Sequence, residues 1–292
     1  MRQDSRSVLR GLFGVMIALF LFGNVFAQSY KGDTWAQAQQ TKRANLVVTY
    51  VETPAFVYMD NTGRLSGICV DILNNFVRYV ESQHGVKVNL TFRGNGDNFS
   101  EFYKSVQNAS QGVIGLGNVT IRPDRRREVT FTPAYIKNIA VLVTHSSVPE
   151  LSSFGQFSTQ FAGKKAYVPP GTTHAGRVDN IKARYYSELV IESTSNSREA
   201  LLKTVADPNS FSYQDVALYW AFKEDGQPVK RHSIGDEATE ELGMIMPLDS
   251  DWINVYNEFF NFGNGYKSSP QYRTSLVKHL GKEVVQMLQM AQ

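Results

Sequence analysis

Residues 113–135 constrain this chain more than any other stretch. Val113-Ile-Gly-Leu116 is apolar or small throughout, Gly117-Asn118 breaks the run, and a polar, basic turn leads to Phe131 and the exit Pro133-Ala-Tyr135. Four such residues suit a strand buried on both faces, as in a parallel sheet, whose carboxyl end opens to solvent at Asn118. In open α/β sheets, ligands bind at that edge. Asn118 and Thr120 offer uncharged hydrogen-bonding groups there. Arg125 adds a planar guanidinium, the side chain best shaped to hold a carboxylate through two parallel bonds. This is the equipment of an anion receptor. Counted only as charges, Arg122, Arg125, Arg126 and Arg127 would form a solvated basic turn, and spacing alone leaves both readings open.

The run Asn118-Val-Thr120-Ile-Arg-Pro-Asp-Arg125, followed by Glu128 and Phe131, resembles the signature segment of the bacterial extracellular solute-binding proteins of family 3, the periplasmic receptors for polar amino acids. Gly67-Ile-Cys-Val-Asp71-Ile72 is similar to the family's second signature, at the start of its first long helix. The resemblance covers roughly residues 45 to 290. It implies an α/β, two-lobed periplasmic binding protein fold (type II) with two hinge crossings, near Ile136 and Pro247. It also implies that Thr120 and Arg125 hold a ligand's α-carboxylate, with the turn Gly171-Thr172-Thr173 on its far side. The implied partners are a small carboxylate-bearing ligand and an ABC permease of the inner membrane. No cofactor or metal is implied.

Met1 to Ala27 places Arg2, Arg6 and Arg10 before an apolar run and ends in small residues, the order of a secretory signal peptide cleaved after Ala27. The run falls short of the ~20 apolar residues that span a bilayer. The expectation is export to a periplasm. The 265 residues beyond Ala27 suffice for two lobes with a substantial core. We expect residues 28–136, completed by 248–292, to form lobe 1, and residues 137–247 to form lobe 2. The full chain carries a formal charge of +3. Without the three arginines and Asp4 of the leader it is nearly neutral, which does not call for nucleic acid. Cys69, the one cysteine, stands between Ile68 and Val70 and reads as buried and inert. A monomer is expected.

Alternating strands and helices through Leu116 argue for a mostly parallel sheet with covering helices. Leu46 to Val51 reads as the first strand, and its end brings Tyr50, Glu52 and Phe56 toward the same cleft as Asn118. Residues 28–44 are polar and uncommitted. Asp60-Asn-Thr-Gly63 reads as a hairpin turn, and Asp71 as the N-cap of the next helix. Lys165 to Val168 is a strand that runs into the Gly171-Thr172-Thr173 turn, which opens a helix with backbone N–H groups and two hydroxyls, a site for an anionic group. Asp215 to Trp220 reads as a strand ending in two aromatics. In the family as we read it, an Asp five residues after the first binds the ligand's ammonium group, and here that count gives Trp220. Tyr219 or Trp220 would then stack on a cationic or aromatic ligand, or the two aromatics pack in the core. Either Glu52 or another acid near the cleft restores the negative charge, with Tyr50 as a further compensating group from the other lobe, or the ligand lacks a free α-amino group.

The five histidines lack metal-ligand spacing, and there is no Gly-x-Ser-x-Gly elbow, His-Glu-x-x-His pair or phosphate loop. An enzyme is not expected. Two alternatives accompany the import receptor. One is a ligand-sensing or scaffolding protein of the same fold. The other is a degenerate relative of the murein transglycosylases, without their catalytic domain.

Overall fold

The computed structural model describes residues 30–94 and 98–290, so the expected leader lies outside the described residues. In chain order the first part holds α1 (Trp35–Thr41), β1 (Arg43–Tyr50), β2 (Tyr58–Met59), β3 (Leu65–Ser66), α2 (Ile68–His84), β4 (Lys87–Gly94), α3 (Phe99–Gln107), β5 (Val113–Thr120) and β6 (Val129–Phe131). Then come β7 (Ile136–His145), α4 (Phe157–Gln160), β8 (Lys165–Val168), α5 (Thr173–Arg184), β9 (Val190–Ser193), α6 (Ser197–Ala206), β10 (Ser210–Asp215) and α7 (Val216–Glu224). The chain closes with β11 (Val229–Pro247), α8 (Trp252–Asn261) and α9 (Pro270–Met290).

The main sheet runs β4-β1-β5-β11-β7-β10-β8-β9, and β6 also pairs with β11. Its two wings are parallel, as the alternation of elements predicts: β1 pairs with β4 and β5, and β8 with β9 and β10. The seam is antiparallel, because β11 returns against β5, β6 and β7. Leu242 on β11 pairs with both Thr120 of β5 and Ile136 of β7, so the changeover from one wing to the other falls there. One strand thus spans 19 residues where the sequence suggests only Leu242 to Met246. Its outer part alternates too weakly to be read as a strand.

The larger core lies beneath α2, α8 and α9, where Phe76 stacks on Tyr256 at 3.8 Å and meets Trp252 edge-on. A second core under β7, β8 and β10 gathers Phe157, Phe161 and Phe211. Cys69 is fully buried, and its thiol is pushed up to about 12 by burial, which leaves it inert.

Three local expectations change. Residues 35–41 form α1, capped by a reciprocal Thr34–Gln37 box. Asp71 is not the cap of α2. Gly67 is, and the first amides of the helix, Ile68 N–H and Cys69 N–H, donate instead to the carbonyls of Ala55 and Phe56. Asp71 lies in the first turn and accepts from Ser275 and His279 of α9 at 2.9 and 2.8 Å. Third, the strand expected at 215–220 ends at Asp215, and helix α7 begins at the next residue. The apolar run Val216 to Trp220 suits either state by composition, and packing against the larger core decides for helix. Among the described residues, no helix is long and apolar enough to cross a membrane.

Candidate ligand-binding cleft

The carboxyl ends of β1, β5, β8 and β10 meet the amino ends of α3, α5 and α6 around one cleft. Helix amino ends favour anions, because their first N–H groups and the helix dipole point outward. Each of the three helices is capped by a side chain. Asn98 accepts from Glu101 N–H, Thr172 from Ala175 N–H and Asn196 from Glu199 N–H.

Arg125 is 7% exposed, and its guanidinium spans the cleft wall. It donates to Thr120 O at 3.2 Å and to Gly171 O at 2.9 Å. Its flat faces lie 5.3 Å from the Phe99 ring and 5.6 Å from the Tyr103 ring. The neighbouring arginines are engaged elsewhere: Arg122 pairs with Asp124 at 2.6 Å, and Arg126 lies over Phe131. Burial and the nearby Arg122 draw the Arg125 proton affinity down, but a guanidinium stays charged in proteins.

Asp215 faces it as the buried acid, 8% exposed. Asn118 donates to its Oδ2, Asn138 to its Oδ1 at 2.6 Å, and His174 Nε2 lies 3.4 Å from Oδ1. Burial pushes its carboxyl up, but the bonds from His174, Asn138 and Asn118 outweigh burial and hold it below the usual carboxylate range. These bonds also explain why Asp215, the N-cap of α7, makes no side-chain cap: its oxygens are used in the cleft.

Behind these two residues lies a buried polar network. Glu240 of β11 accepts from Asn138 at 2.9 Å and pairs with Arg177 of α5 at 2.8 Å, and Thr120 Oγ1 lies 3.3 Å from its Oε1. Arg177 also meets Glu237 at 2.9 Å and His174 Nδ1 at 3.4 Å. Thr120 and Thr173 bring their hydroxyls to 3.4 Å across the cleft.

Of the residues singled out in the sequence, Asn118, Thr120, Arg125, Thr172, Thr173 and Glu52 line this cleft. The Thr172 hydroxyl is occupied by capping and by a bond to Pro169 O. Four others lie elsewhere. Trp220 sits on α7 beneath Lys223, and Tyr219 is buried in the larger core beside it. Phe56 packs against Tyr135, and the Tyr50 ring leans on Gly94 at the edge of β1. An acid does line the cleft: Asp215, at the end of its strand and not at its start. Sequence reading also missed His174, Asn196, Ser197 and Arg198, which line the cleft at helix starts. The pattern of a polar residue closing a strand was the available signal for Asp215. Among the described residues, no cluster of three or more His, Cys, Asp or Glu is arranged to hold a metal.

A sequence model of the bacterial extracellular solute-binding proteins, family 3, matches residues 46–284. No curated protein matches the chain in sequence. Solved structures share the fold. An ancestral arginine-binding protein bound to glutamine superposes with a TM-score of 0.63 at 20% identity, over 82% of this chain and 98% of that one. An ancestral amino acid-binding protein, a precursor of cyclohexadienyl dehydratase, gives 0.63 at 17% identity, over 84% and 98%. An ABC uptake transporter substrate binding protein from Streptococcus pneumoniae with bound histidine gives 0.66 at 16% identity, over 86% and 97%. All three are similar in fold to this chain.

Proposed function

Because this chain belongs to the bacterial extracellular solute-binding proteins, family 3, we propose that it is a periplasmic receptor, without enzymatic activity, whose cleft captures an amino acid for an ABC importer. The observation that carries this reading is the pair of opposite charges on one cleft, Arg125 and Asp215, each more than nine-tenths buried. A free amino acid bears on one carbon the carboxylate and the ammonium group that such a pair takes, and a buried charge is tolerated only with a partner. In this reading Arg125, Thr120 and the start of α5 take the carboxylate, and Asp215 with Asn118 takes the ammonium group. Glu52, Phe99 and Leu218 face the ligand's side chain.

The lobes we propose divide at Ile136 and at Leu242, where β11 passes from β7 to β5, so that residues 243–247 go with residues 28–136 and 248–292, and the lobes close on the ligand about the crossings of β7 and β11. Closure would be driven by contacts made only in the closed state. The proposed leader is removed after Ala27, and the proposed partner is an inner-membrane permease that receives the closed form.

The test is a calorimetric and thermal-shift screen of the standard amino acids, dicarboxylates and simple amines against the protein beginning at Gln28. Stabilisation by an amino acid, lost in both Arg125→Ala and Asp215→Asn, is the expected result. Tight binding of a carboxylate that lacks an amine, unchanged in Asp215→Asn, would overturn the reading.

A further inference from the structure

His174, the second residue of α5, is 5% exposed and sits between two charges. Its Nε2 lies 3.4 Å from Asp215 Oδ1 and its Nδ1 lies 3.4 Å from Arg177 Nη1. A guanidinium has only N–H groups to offer, so the nitrogen that faces Arg177 presents its lone pair, and the ring proton is on Nε2, directed at Asp215.

The charged groups around it come from three elements. Asp215 faces it from β10 and Arg177 from its own helix. Glu240 and Glu237 of β11 stand on the far side of Arg177 and pair with it at 2.8 and 2.9 Å. Arg125 lines the same cleft beyond Thr173. Arg177 is thus matched by β11, and Asp215, its oxygens held by uncharged amides and this imidazole, is the anion left to balance a cation. One carboxylate in a buried site balances one charge well, and a second cation beside it has no partner.

Resting on the amino-acid reading above, we infer that His174 is a positioning residue for Asp215, the acid of the proposed ammonium subsite, and that ligand capture and protonation of His174 exclude each other. An imidazolium at His174 would neutralise Asp215 and set an N–H against Arg177, so a proton there competes with the ligand's ammonium group. Capture then weakens as falling pH loads a proton onto that ring.

The experiment is titration calorimetry of the exported protein with L-arginine and L-glutamine from pH 8 to pH 5.5, in two buffers of different ionisation enthalpy. The expected result is an affinity that falls by up to about tenfold per pH unit at the acidic end, with about one proton released per ligand bound there and none at pH 8. His174→Gln keeps an amide donor for Asp215 but cannot titrate, and it should lose both the slope and the proton release, whatever its affinity at pH 8. A flat wild-type profile, or a slope retained in His174→Gln, overturns the inference while leaving the amino-acid reading intact. Failure of both amino acids to bind at every pH overturns the amino-acid reading and this inference with it. If the variant does not fold, imidazole NMR of the wild type decides: ligand added at pH 6 should move the His174 ring to its neutral Nε2–H form, and an unmoved signal counts against us.

Discussion

Arg125 shows how a single residue can be found in sequence while its counterpart is missed. Four arginines crowd residues 122–127, and the structure turns only Arg125 inward, between two aromatic rings and two carbonyls. Its place on the cleft was legible because a strand end fixes where the following turn points. Asp215 was overlooked because the apolar run after it extends the strand on paper by five residues, and that shift moved the expected acid onto Trp220. Replacing Arg125 with Ala should abolish measurable amino-acid binding, at a cost of ~2–5 kcal/mol, because it leaves a buried carboxylate unpaired. Calorimetry that shows unchanged affinity would remove Arg125 from the site. Trp220→Asp should leave the ligand profile as it is, since the residue lies on α7 away from the cleft. A shifted profile would restore the stacking role expected from sequence.

Elements were legible where one face alternates strongly and obscure where tertiary contacts replace local signals. Helix α2, expected to start at an Asp71 cap, starts at Ile68. No side chain caps it, because carbonyls of residues 55 and 56 do that work. The close approach requires Gly67, whose φ is +127° and where a Cβ would lie 2.2 Å from Phe56 O. Gly67→Ala should lower the unfolding free energy by about 2–3 kcal/mol, read from urea titration, and an unchanged midpoint would refute this account. His232 makes a second element-scale prediction. Fully buried on β11, it lies 2.7 Å from Thr144 Oγ1 and accepts from Leu151 N–H at 3.0 Å, tying two strands to a loop. Burial, with help from Lys230 and Lys164, lowers its imidazole from the ordinary 6.5 to about 4. The unfolded chain therefore takes up a proton before the folded one does. Stability is unaffected above pH 6.5 and falls as the pH drops toward 4, by up to roughly 3 kcal/mol. Denaturation at pH 7 and pH 4.5 measures the loss, and no extra loss relative to His232→Gln would show that the residue is not its source.

For the whole molecule, the parallel wings follow from the order of elements, but their joining does not. The long β11 strand gathers its pairings from residues 120, 136 and 145, separations that no local pattern encodes. What this joining produces is a cleft whose two walls already touch. Thr120 and Thr173 bring hydroxyls to 3.4 Å, Arg125 reaches Gly171 O and Asn118 reaches Asp215, all between the β5 turn and the β8–β10 wing. On the two-lobed reading proposed above, a ligand seated between Arg125 and Asp215 exchanges only when the wings part about Ile136 and Leu242. A disulfide between the walls should therefore stop it. In Thr120→Cys/Thr173→Cys the two sulfurs start close enough to bond after small rotamer changes, and the buried Cys69 does not compete for oxidant. The oxidised double variant should exclude an amino acid added from solution, and reduction should restore whatever binding the cysteine pair permits. Small-angle scattering of the wild type should show the radius of gyration contracting as ligand is added. Equal binding rates in the oxidised and reduced forms would mean that ligands reach Asp215 without opening, and the proposed hinge would have to be abandoned.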